Sequence, residues 1–391
     1  MNTLLDTVPN YDLRVETFKQ GPFTFRLGLD LDTLDLRLLL TEIRVAHELF
    51  GKLTLGPEVL NQLQNDVTVS SVYGTNSIEG GLLTEKETAE VIQLNEVQIQ
   101  ELEQRRAFNL KKAYDYSREK SRKAGWCLDL NFIRKLHEIV TNEIPHVRDQ
   151  PGLFRINPNE NVTTWVGGER YGGEYRPPEP PDIPNLMQSL IKWHDSLVEA
   201  KIPPLIRAPL VHFYYEIIHP FYDGNGRVGR LIEASLLEAG DYKFTSGISQ
   251  YYNEHVDKYF LLINNCRKDG EKKKENPNTD FVMFHLAGIK EIMHKMHDRN
   301  NKITEELLYK SRVSELMSSS KINSRQKTII DQLLKSEPKT KENISRESWY
   351  TSTYLGKVDK TRQRDWAKLV ELKLIRIDDK NRVCIYYRYF P

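Results

Sequence analysis

The chain has 391 residues, 39% of them hydrophobic and 28% charged, with a formal net charge of +1. Such length and balance exclude a disordered chain and leave room for a large core plus an appendage. Three scattered cysteines, Cys127, Cys266 and Cys384, suggest neither a disulfide framework nor a zinc site and fit a reducing cytoplasm. The start lacks a basic segment followed by an apolar core, and no apolar run approaches membrane-spanning length. A cytoplasmic protein without a membrane partner is therefore expected. The even charge balance hides an asymmetry. Residues 322–391 carry 16 Lys/Arg against 9 Asp/Glu, and the preceding residues 40 against 46, so the two parts are expected to meet different partners.

Most of the body reads as helix. Amphipathic spacing marks Asp35–Leu53, Glu58–Val69, Glu85–Tyr116 and Asn131–Glu143. Residues 152–178 read as a hairpin instead, with Phe154–Asn157 and Val162–Val166 extended and Pro158–Asn161 turning. Its exposed edge suits an added strand from a target; the plainer reading is a surface hairpin without a ligand. Pro177, Pro178, Pro180 and Pro181 form a stiff lead into a helix over Ile183–Ala200.

Leu210, Phe213, Tyr214 and Ile217 then share one face of a helix over Pro209–Ile218. Pro220 disfavours helical geometry at His219, which places the imidazole at a loop mouth. Asp223-Gly224-Asn225-Gly226 is a turn composition, and a second helix runs from Asn225 to a stop at Gly240. The charged run Lys268–Glu275 reads as a surface loop before Thr279-Asp280 caps a helix over Phe281–Asn300. In the tail, helices are expected over Ser324–Lys335, Lys341–Leu355 and Lys360–Leu372. A hairpin of Leu374–Ile377 and Val383–Tyr387 follows, around Asp378–Arg382. Three helices followed by a two-stranded wing resemble a winged-helix module, whose third helix would present Lys357, Lys360, Arg362, Gln363 and Arg364 to DNA or phosphates.

The chemistry concentrates between His219 and Arg230. A Gly-rich turn opening a helix leaves N–H donors uncovered at the positive end of the helix dipole, which makes an anion site. Arg227 and Arg230, three apart, add two guanidinium forks on one side. Asp223 is a hard oxygen ligand for Mg²⁺, and His219 can accept a hydroxyl proton when neutral. Taken singly, each piece is more often a turn or a solvated helix face. Together they describe phosphate transfer.

This stretch resembles the signature of the Fic family, His-x-Phe-x-(Asp/Glu)-Gly-Asn-Gly-Arg-x-x-Arg, at every defined position. The resemblance implies a mostly α protein with a Fic-type helical bundle, a short β-hairpin flap over the site and a C-terminal winged-helix domain. It implies transfer of AMP from ATP, with Mg²⁺, onto a hydroxyl side chain of a target protein or of the chain itself. His219 would be the general base and Asp223 the metal ligand. Gly224, Asn225 and Gly226 would hold the α-phosphate, Phe221 would anchor the loop, and Arg227 and Arg230 would hold the outer phosphates. Tyr252 and Asn253 fall where the family contacts adenine or ribose, although an aromatic stripe on a helix is more often core. His285, His294 and His297 share one helix without ligand partners at a recognisable spacing and are read as packed or solvated.

Upstream, Thr75-Asn76-Ser77-Ile78-Glu79-Gly80 reads first as a helix end, with Thr75 capping or turning a short helix and Gly80 stopping it. It also resembles the family's inhibitory motif, in which Glu79 would take the γ-phosphate's place beside Arg230. The expected division is an N-terminal helical region over 1–110, a catalytic core over 111–300, a helical connection over 301–321 and the winged-helix module over 322–391. Alternatives are a DNA-binding regulator whose nucleotide site only senses ligand, and the same site used to remove AMP or move another phosphate-containing group. DNA and a second copy of the chain stand as further possible partners.

Overall fold

The structure, a computed structural model, describes residues 11–53, 55–156, 164–168 and 172–387. The described residues divide into two compact units, the first ending at His297 and the second starting at Asp298. The first opens with a hairpin of β1 (Leu13–Val15) and β2 (Phe23–Phe25), followed by α1 (Leu34–Gly51), α2 (Pro57–Ile78), α3 (Glu85–Val91), α4 (Leu102–Ser121) and α5 (Leu130–Thr141). A second hairpin, β3 (Val166–Gly168) and β4 (Gly173–Tyr175), precedes α6 (Ile183–Glu199), α7 (Pro204–Ile218), α8 (Asn225–Ala239), α9 (Ile248–Glu254) and α10 (Val256–Glu271). The long helix α11 (Thr279–Ser318) begins in the first unit and ends in the second. The architecture is the mostly helical bundle expected.

The core lies around α7 and α8, which pack on each other with α2, α4 and α5 against α8. Val228, Leu231, Ile232 and Leu237 of α8 are fully buried, as are Leu210, Val211 and Tyr215 of α7. A helix buried on nearly every side owes its stability to packing more than to propensity. Packing explains why α7 starts at Pro204, five residues before the expected Pro209. Pro204 suits a first helical turn, and the buried flank of Pro209 offsets the hydrogen bond that its ring removes.

Four further expectations need correction. Glu85–Tyr116 is not one helix. The Thr84 and Glu87 side chains cap α3, Gln98 accepts from the Asn95 N–H at 2.8 Å, and Gln104 accepts from the Glu101 N–H at 3.3 Å. These local polar bonds interrupt an apolar period that alone reads as continuous. The helix expected to stop at Val69 runs to Ile78, so Thr75 lies inside its last turn and caps nothing. The hairpin pairs Val166 with Tyr175 rather than the earlier segment. A Cβ at Gly167, where φ is +101°, would stand 2.5 Å from the Gly173 carbonyl, so this close pairing requires glycine. Phe154–Ile156 is irregular, and the expected turn Pro158–Asn161 lies outside the described residues. Finally, the charged run from Lys268 is helical as far as Glu271.

The second unit adds α12 (Ser324–Leu333), β5 (Lys339–Thr340), α13 (Lys341–Ser345), α14 (Ser348–Thr353), α15 (Asp359–Glu371), β6 (Ile375–Ile377) and β7 (Arg382–Ile385). The helix expected over Lys341–Leu355 is two short ones, and β5 is a third strand on β7 that the sequence reading missed. Ile329, Ile330, Trp366, Leu369, Ile375 and Val383 form its core, with Tyr309 and Val313 from α11. The connection expected over 301–321 thus contributes core side chains.

Candidate active site

The loop between α7 and α8 is fixed from several sides. His219 ends α7 in a left-handed conformation, φ 51°, with its N–H on the Tyr215 carbonyl at 3.0 Å. Buried Arg155 clamps the next turn. Its Nε donates to the His219 carbonyl at 2.8 Å, its Nη2 to the Pro178 carbonyl, and its own N–H to the Pro220 carbonyl at 2.9 Å. Burial pushes this guanidinium down to about 10.

Phe221, fully buried, stacks on His137 with centroids 3.6 Å apart and planes 7° off parallel. The His137 Nδ1 accepts from the Gly152 N–H at 2.9 Å, which leaves Nε2 to donate to the Asp223 carbonyl at 3.1 Å. Asn225 closes the loop on itself, its Oδ1 accepting from the Phe221 N–H at 3.0 Å and its Nδ2 donating to the Phe221 carbonyl at 2.9 Å. The Asn225 side chain therefore shapes the turn, leaving backbone N–H groups of the first turn of α8 for an anion. Gly224 precedes that helix at φ +75°, where a Cβ would meet Thr141 at 3.2 Å.

His219 is packed but partly exposed. Burial first, and then the Arg155 charge, hold its pKa down at about 4, so the ring is neutral at pH 7. Asp223 pairs with Arg227 at 2.6 Å. Burial opposes its charge, yet the Arg227 charge and hydrogen bond keep its pKa below the usual carboxylate range. Arg230 is fully buried and donates to Glu79 Oε1 at 2.6 Å and to the Thr75 carbonyl at 3.3 Å. A Cβ on Gly226 would lie 2.2 Å from that Glu79 oxygen, which places the carboxylate against the mouth of the cradle. Gly80 follows at φ +80° and releases the chain from α2. Thr75, fully buried, bonds the Tyr114 hydroxyl at 2.9 Å and so fixes the end of the helix that carries Glu79.

Tyr252 is fully buried on α9. Its buried hydroxyl donates to Glu233 at 2.8 Å and lies 2.9 Å from His285, so the ring is tied into the polar core. An aromatic stripe on a short helix inside a bundle buries before it recognises. Asn253 is partly exposed on α9. The same polar core joins Glu233 to His212 at 2.9 Å and His212 to Tyr259 at 3.0 Å.

Sequence reasoning missed His137, Arg155 and Glu216. None carries a motif of its own, although Arg155 lies in the segment read as a hairpin and Glu216 three residues before His219. The Glu216 carboxyl is pushed up to about 7, by burial first, with Glu79 and Glu233 adding repulsion against the pull of His212 and Arg230.

Among the described residues no group of three or more His, Cys, Asp or Glu could hold a metal ion. Asp223 is the one candidate of the loop, 34% exposed beside the cradle. One carboxylate suits Mg²⁺ that takes its remaining ligands from nucleotide phosphates and water.

Residues 127–237 match the Fic/DOC family, and this range encloses the His219–Arg230 loop but not Thr75–Gly80. A solved Fic family protein from Desulfovibrio desulfuricans covers 92% of this chain and 98% of its own, with a TM-score of 0.52 and 16% identity. Fic-1 from C. elegans covers 69% of this chain and 73% of its own at TM-score 0.53 and 18% identity. These likenesses show the helical fold, and the match to the Fic/DOC family lies within it at residues 127–237. By sequence it is 41% identical over 71 residues to a probable protein adenylyltransferase of Aquifex aeolicus, covering 18% of this chain and 22% of that protein. It is 32% identical over 133 residues to the protein adenylyltransferase Fic of Drosophila yakuba, covering 34% of this chain and 24% of that protein. The chain thus spans under a quarter of the curated relatives it matches. No helix among the described residues is long and apolar enough to cross a membrane.

Proposed function

We propose that this chain transfers AMP from ATP to a hydroxyl side chain of a target protein or of itself, under restraint by Glu79. The observation that carries the reading is Glu79 lodged between Gly226 and Arg230, a carboxylate held where a phosphate-binding helix start and a buried guanidinium meet. In the reaction the acceptor oxygen bonds to the α-phosphorus as the bond to the pyrophosphate oxygen breaks, and His219 takes the hydroxyl proton. Its neutral ring is ready to do so without first losing a proton. Backbone N–H groups at Gly224–Gly226 face the α-phosphate, and Arg227 and Arg230 neutralise the departing pyrophosphate. Asp223 would hold Mg²⁺, which when bound neutralises phosphate charge. The hairpin β3–β4 would align the acceptor segment along its edge.

The sequence similarity to proteins named adenylyltransferases supports this reading over transfer of another group. Incubating the Glu79→Gly protein with Mg-ATP and host lysate, then reading acceptor masses, tests it. An AMP increment on Ser, Thr or Tyr is expected. A different increment, or loss of AMP from premodified protein, favours the alternative chemistries of the same site.

A DNA-bound role for the second unit has its own observation. Lys357 just before α15, and Lys360 and Arg364 in its first two turns, are exposed and form no ion pair among the described residues, whereas Arg362 is occupied by Asp359 at 3.0 Å. Duplex retention that falls steeply with salt supports this winged-helix reading, and none at low ionic strength removes it.

A further inference from the structure

Helix α1 is apolar on two opposite faces. Leu36, Ile43 and Phe50 are buried and hold it to the bundle, helped by Glu42 on Lys290 at 2.6 Å and His47 on the Asp241 carbonyl at 2.9 Å. On the other side Leu34, Leu38, Val45 and Leu49 are 70%, 52%, 46% and 58% exposed. At about 100° per residue these four fall within an arc of roughly 60°, opposite the buried three. A second apolar stripe on an 18-residue helix costs solubility without adding to the core of its own chain.

The spacing of the stripe suits a second copy of this chain. Positions 34, 38, 45 and 49 are symmetric about the midpoint between Thr41 and Glu42. A two-fold axis there, with helices antiparallel, sets Leu34 on Leu49 and Leu38 on Val45 of the other copy, in both directions at once. An isologous interface needs this self-complementarity and an unrelated partner does not. The flanking charges agree. Arg37 and Glu48 are exposed beside the stripe on the same side, and neither forms an ion pair among the described residues. The same axis brings each Arg37 within about one turn of the other copy's Glu48. A net charge of +1 opposes no self-association.

We infer that α1 is the contact between two copies of this chain, paired antiparallel through Leu34, Leu38, Val45 and Leu49. One helix pair makes a small interface, so dissociation in the micromolar range is expected. The inference does not depend on the proposed chemistry, because the test measures mass and not activity.

Sedimentation of the full chain from about 1 to 200 µM, a range that brackets such an affinity, should show mass rising from 45.7 kDa toward twice that value. Leu38→Glu should remain at the single-chain mass throughout with an unchanged circular dichroism spectrum. Val198→Glu, at a lone apolar residue 45% exposed on α6, should associate like the parent. Arg37→Glu should weaken association about tenfold, and adding Glu48→Arg should restore it. A parent chain that stays single at 200 µM overturns the inference. So does a dimer that survives Leu38→Glu, one lost equally in Val198→Glu, or a charge swap that fails to restore pairing.

Discussion

The loop from His219 to Gly226 and the end of α2 from Thr75 to Gly80 meet at one guanidinium, yet they are held in different ways. The loop is over-determined by the Arg155 clamp, the His137 stack and the two Asn225 bonds, all to neighbouring backbone or ring. The α2 end is itself held at Thr75, but its carboxylate reaches the site only through the Glu79 side chain, one-third exposed and bonded to Arg230 at 2.6 Å. Many short constraints make a rigid element, and one charge pair makes a side chain that can leave. The difference fits a preorganised catalytic loop and a removable restraint.

The comparison breaks first at the base. His219→Ala should lower AMP incorporation by about 10²–10⁴-fold while leaving the helical content unchanged, since only the proton acceptor is lost. A labelled-AMP assay in the Glu79→Gly background checks this, and retained activity would place the base elsewhere. Next, Glu79→Gly in the parent should raise incorporation by about 30–150-fold, the equivalent of about 2–3 kcal/mol of bias. Equal rates of parent and variant at every ATP concentration would remove Glu79 as a restraint.

Stability sharpens the contrast further. Gly229 leaves no room for a methyl group, because a Cβ would stand 2.4 Å from the Glu216 Oε1 and 2.7 Å from the His212 ring. Gly229→Ala should cost about 1–3 kcal/mol in denaturant unfolding, whereas Gly270→Ala, in open space on α10, has no such clash to relieve. An unchanged midpoint for Gly229→Ala would show the α7–α8 contact to be loose enough to admit a methyl group.

The smallest expected effect is with pH. Burial holds His137, His194 and His219 at about 4, below the unfolded value of 6.5, so each binds a proton on unfolding between those limits. Their contribution is full above pH 6.5 and is lost as the pH falls toward 4. Glu216, raised to about 7, opposes one of them, since it releases a proton on unfolding between pH 4.5 and 7. Melting temperature should therefore drop between pH 6.5 and 4.5, and less steeply in His137→Phe, which keeps a ring against Phe221. A flat profile would show these rings to be hydrated.

The sequence by itself determined the two helices around residues 219–224, the break at Pro220, the glycine cradle and the arginine spacing. These follow from local rules: proline geometry, glycine at positive φ and a 3.6-residue period act over a few residues. Local rules also misread what lay outside them. Glu85–Tyr116 kept its apolar period through three caps, and Pro209 resembled a start because nothing nearby announced how deeply α7 is buried. Only the tertiary structure decided that Glu79 meets Arg230 across 151 positions, that Arg155 and His137 brace the loop, and that Tyr252 belongs to the Glu233 core. Such contacts depend on which faces the packed helices turn toward one another. That choice is set by the whole core's burial and polar satisfaction, and no short window of sequence contains it.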